Sequence, residues 1–140
     1  MLRQLRQRRF RESHRTGAAA VEFAIVAPVF FILVIAAFEF GRINVIRHTA
    51  DNAAYEAARH AMVPGATSAE AVREAERILR IVGTRGAKVT VNPATLGPSV
   101  DQITVTVDVP MAQNGWITPR FSRNTTIRAT STLRTERARD

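Results

Sequence analysis

Residues 15–42 read RTGAAAVEFAIVAPVFFILVIAAFEFGR, and the reading of this stretch decides the fold. Residues 23–38 carry no charged or strongly polar side chain. From Ala18 to Gly41 the segment is 24 residues long, with one acid toward each end, Glu22 and Glu39. A helix rising about 1.5 Å per residue then has the length to cross a hydrocarbon core of roughly 30 Å. A soluble domain rarely needs a helix that is apolar on every face. Membrane insertion is therefore expected. Pro28 removes one helical hydrogen bond, from the Ala24 carbonyl, and favours a kink that membrane helices tolerate.

The charge around this segment is lopsided. The chain of 140 residues carries a formal +8, which raises the question of nucleic acid. Residues 1–17 hold six arginines (Arg3, Arg6, Arg8, Arg9, Arg11 and Arg15) against Glu12 alone, a net +5. The remaining 123 residues carry only +3. Arginines before an apolar span resist translocation, so the N-terminus is expected to stay cytoplasmic and the C-terminal part to be exported. A nucleic-acid-binding arm is the weaker reading, and no nucleic-acid partner is expected. The chain has no cysteine, so neither disulfides nor thiol chemistry can support an exported domain.

Three readings compete for residues 1–41. A cleavable secretory signal needs a small-residue site after a short apolar region, yet FEFGRINVIRHTA follows here. A plain signal anchor accounts for the length and the arginines but not for Glu22. In the third reading a basic leader ends at Gly17 and is cut before the apolar segment. Ala18 then becomes the N-terminus, with Glu22 fifth and Phe23 after it. Glycine is a poor helix former and presents no side chain to a protease, which suits a scissile bond.

That third arrangement resembles the TadE-like family, pseudopilins of Tad/Flp tight-adherence pilus systems. The resemblance runs through GAAAVEFAIVAPVFFILVIAAFEFGR into RHTADNAAYEAARHAM, and appears again at ATSTLRTE near the C-terminus. It implies cleavage between Gly17 and Ala18 by a prepilin peptidase. It also implies that Glu22, with Phe23 beside it, guides assembly by meeting the new amine of a neighbouring subunit. A carboxylate at mid-bilayer costs about 2.5–3.5 kcal/mol on insertion scales and less near the interface. A misplaced subunit would leave that charge unpaired, so the pair would set register. The plainer alternative is that Glu22 snorkels to the interface. Glu39 reads chiefly as the return of charge at the headgroups, with a pairing role as the alternative.

Beyond the span, residues 42–63 continue as a helix. Ala50, Ala54, Ala57 and Ala61 share one face, flanked by Ala53 and Ala58 and begun by Ile43 and Ile46. Arg47, Asp51, Glu56, Arg59 and His60 fall opposite. Tyr55 reads as packing, and His48 and His60 as surface residues. Pro64-Gly65 ends the helix. Thr67 to Glu70 spells a capping box before a second helix over 68–82, with Val72, Ala75, Ile78, Leu79 and Val82 as its apolar face. Period-two alternation then marks strands at about 87–92, 102–109 and 125–136, the last with Ile127, Ala129, Ser131 and Leu133 on one face. Residues 110–124 form a longer loop in which Trp116 and Phe121 are read as a core plug or a contact patch.

The expected fold is α+β: a long N-terminal transmembrane helix, a second helix, and a small three-stranded antiparallel sheet, as in pilin-like proteins. The expected organisation is a basic leader (1–17), a transmembrane helix (18–41) and an exported head (42–140). No triad, paired carboxylates, phosphate loop or metal spacing is present, so neither an enzyme nor a cofactor is expected. GTRGAK at 83–88 lacks P-loop spacing and reads as a turn. The resemblance implies a minor pseudopilin, single-pass in the inner membrane, working with other pilins in adhesion or secretion. An uncut anchored protein with a partner-binding head is the alternative.

Overall fold

The computed structural model of the chain describes residues 2–97, 99–115 and 124–134, with side chains from Gly17 onward. Helix α1 spans Leu2–Ala61 and α2 spans Ser68–Ile81. Strands β1 (Lys88–Asn92), β2 (Gln102–Pro110) and β3 (Thr126–Arg134) form one antiparallel sheet in the order β1-β2-β3. The fold is α+β. Trp116 and Phe121, read as a plug or a contact patch, lie outside the described residues, as do residues 135–136 of the expected third strand. The chain divides into two compact units, Met1–Phe38 and Glu39–Asp140.

The first unit consists of the α1 segment with the apolar run. From Gly17 onward its side chains are exposed apart from the half-buried Ala27 and Val34: Phe23 is 70% exposed, Ile32 65% and Phe38 68%. Pro28 lies inside the helix. The helix also runs through Gly17 without interruption, although glycine suggested an extended backbone there. One glycine costs a helix only about 1 kcal/mol relative to alanine, too little to break it.

The second unit has two layers. The alanine stripe of α1 is fully buried, from Ala50 through Ala53, Ala54, Ala57 and Ala58 to Ala61, with Ile46 leading it. Side chains this small let the helix approach its neighbours closely. The larger apolar volume comes from the sheet: Val105, Val107 and Val109 of the central strand are wholly buried, each stabilising by about 1.5–3 kcal/mol. Ala71, Ala75, Ile78 and Leu79 of α2 complete the same core. Ala71 is a buried position that the sequence reading passed over, while Val72 and Val82 lie only partly inside. Tyr55 is also more exposed, at 48%, than a packing role implies.

The other sheet face is wet and matched across strands. Thr104 meets Thr132 at 3.0 Å between hydroxyls, and the Arg128 guanidinium donates to Asp108 at 2.7 Å. At the start of α2, Thr67 accepts from the Glu70 amide, and the Glu70 carboxylate accepts from the Thr67 amide at 2.8 Å. The capping box of the sequence is therefore formed.

Candidate functional sites in the N-terminal helix and in the head

The residues singled out for processing and assembly lie together on α1. Gly17, Ala18, Glu22 and Phe23 are all exposed. A side chain added at Gly17 would meet nothing within 4 Å. The site is thus open to another protein, but its backbone is helical, so a protease would have to unwind it. The arginines from Arg3 to Arg15 lie on the same helix, in the part where only the backbone is described.

Glu39 opens the second unit and is buried, with 5% exposure. It is therefore built into the head, whereas the sequence reading placed it chiefly among returning surface charges. Three residues on, Arg42 leads to a polar cluster that the sequence reading missed. The Nε of Arg42 donates to the backbone carbonyl of Asn114 at 2.6 Å. Asn114 is 1% exposed and uses its whole amide. Its Oδ1 accepts from the Arg85 amide at 2.8 Å, and its Nδ2 donates to the carbonyls of Arg85 and Pro110, each at 2.8 Å. One side chain thus ties together the turn after α2 and the turn after β2, while its backbone holds α1.

The only sequence signals for this cluster were the Asn114-Gly115 pair after Pro110 and the glycines at 83 and 86. Both glycines adopt positive φ, +68° and +64°. A side chain at Gly86 would also collide with Gln113. Among the described residues no group of three His, Cys, Asp or Glu is placed to hold a metal ion.

One helix, within Gly17–Ala61, is long and apolar enough to cross a membrane by length and composition. This one apolar helix among the described residues suggests single-pass membrane anchoring. The family model described as TadE-like protein matches residues 17–59, the family that this stretch resembles. The match takes in Gly17, Glu22, Glu39 and most of the alanine stripe, and ends before α2 and the sheet. ATSTLRTE lies outside it. The match suggests a structural component associated with Tad-type pili. No curated protein and no solved structure matches the chain.

Proposed function

We propose that the chain is a minor pseudopilin, a structural and assembly component of a Tad-type pilus or a related secretion apparatus. In this reading the leader arginines keep the N-terminus cytoplasmic and the head is exported across the inner membrane. A prepilin peptidase cuts between Gly17 and Ala18, and Glu22 then meets an amine of a neighbouring pilin. The single observation that carries this reading is an exposed carboxylate five residues past Gly17, inside a largely exposed apolar helix that matches the family. An exposed apolar belt of this extent needs lipid or other helices around it.

Intact-mass measurement of the protein extracted from membranes of cells with active prepilin peptidase tests the proposal. A species beginning at Ala18 is expected, and one beginning at Met1 overturns the processing step. The second reading, an uncut anchor whose head binds a partner, is favoured by one observation: the helix runs unbroken through Gly17.

A further inference from the structure

Of the five asparagines, at 44, 52, 92, 114 and 124, only Asn124 is followed two residues later by a hydroxyl side chain. Asn124-Thr125-Thr126 spells the acceptor pattern for asparagine-linked sugar, with no proline in the middle position. The fold sets this asparagine apart from Asn114, whose buried carboxamide is fully bonded. Asn124, Thr125 and Thr126 are all exposed, at the corner where the chain enters β3. Thr126 pairs with Pro110, which has no N–H to give, so the first rung of β3 is short of one donor. The Met111 amide donates to the Thr125 carbonyl at 2.9 Å and steadies the backbone here. Thr126 is the first residue of a strand, and in extended chain the side chains of residues two apart lie on one side. An enzyme that draws this corner out as a short extended segment therefore meets the Asn124 amide and the Thr126 hydroxyl together.

We infer that Asn124 is the acceptor for an asparagine-linked glycan, added to the head after export. The donor is a sugar carried on a lipid pyrophosphate, and a membrane transferase supplies the base. The Asn124 Nδ2 bonds to the anomeric carbon of the sugar as the bond from that carbon to the pyrophosphate oxygen breaks. The lipid pyrophosphate leaves with the electron pair, and the Nδ2 gives one proton to the base. Thr126 serves recognition: its hydroxyl is read by the transferase and forms no bond to the sugar. The inference rests on the exported head proposed above.

The test is the intact mass of the full chain, extracted with detergent from membranes of the cells that make it, followed by peptide mapping. The chain should carry added mass in whole sugar units, located on the peptide that contains Asn124. Asn124→Gln and Thr126→Val should each lose all of it, and Thr126→Ser should keep most of it. Both positions are exposed, so the melting temperatures of the variants should match that of the unglycosylated parent. An unmodified chain whose head is cut by protease added outside spheroplasts overturns the inference and leaves the exported reading standing. An unmodified chain whose head is protected from that protease sinks the exported reading, and the glycan site falls with it. Added sugar that survives Asn124→Gln also overturns the inference, since it is then carried elsewhere.

Discussion

At the scale of single residues, Glu22 and Asn114 show two ways of handling a polar group in an apolar setting. Glu22 is exposed, and the described side chains around it on the helix are apolar, so the proposed function gives it a partner on a neighbouring subunit. Glu22→Gln removes the charge and keeps the shape. On the proposed function it leaves processing after Gly17 intact and abolishes incorporation beside other pilins, as read by intact mass and by pilus yield. Normal yield would discard the assembly role. Asn114 is satisfied internally, with three hydrogen bonds from one buried amide. Asn114→Ala strands the Arg85 amide and two carbonyls, and a buried unsatisfied group costs about 1–3 kcal/mol. Urea unfolding of the detergent-solubilised chain should show a loss of that order. An unchanged midpoint would mean that the turns hold without the amide.

At the scale of elements, α2 is short and amphipathic and depends on its ends. Thr67→Ala removes the cap and should lower stability by about 1 kcal/mol in the same unfolding measurement. The helix and the sheet also share an acid sensitivity. The Thr67 amide and hydroxyl hold the Glu70 carboxyl below its ordinary value, hydrogen bonds from Arg77 do so for Glu74, and those from Arg128 for Asp108. Carboxyls lowered in the folded state contribute stability above their unfolded values of about 4, and that stability is lost as pH falls through the lower folded values. Melting temperature should thus hold at neutral pH and fall from about pH 4 downward. Thr67→Ala should make that fall shallower, since Glu70 then loses part of its reason for ionising. All three carboxylates are close to the surface, so high salt should reduce the Asp108 and Glu74 contributions.

At the scale of the whole molecule, the orientation proposed above rests on the contrast between +5 in residues 1–17 and +3 in the rest. Replacing all six leader arginines with glutamine should move a measurable fraction of heads to the cytoplasmic side. Protease added outside spheroplasts reads this directly, and a fully exported head in the variant would assign orientation to another signal. The alanine stripe, the capping box and the alternating valines were legible in the sequence because each is a periodic or adjacent pattern, spelled within a few residues. Ala71 was not, since alanine suits either side of a helix and only the packed partner decides. The Asn114 cluster was legible only as separate turns, at Asn114-Gly115 and at Gly83 and Gly86. It joins residues 29 and 72 positions apart, and no local pattern records which turns will meet. Glu39 carries the same lesson: charge reads as surface until the fold buries it. The sequence by itself determined that one helix is apolar all round, that the charge lies before it, and that an α+β head follows, because hydrophobicity, charge and periodicity are carried residue by residue. Only the tertiary structure decided that Arg42, Arg85 and Asn114 converge on one cleft and that Glu39 lies inside, because proximity between distant segments is set by how whole elements pack.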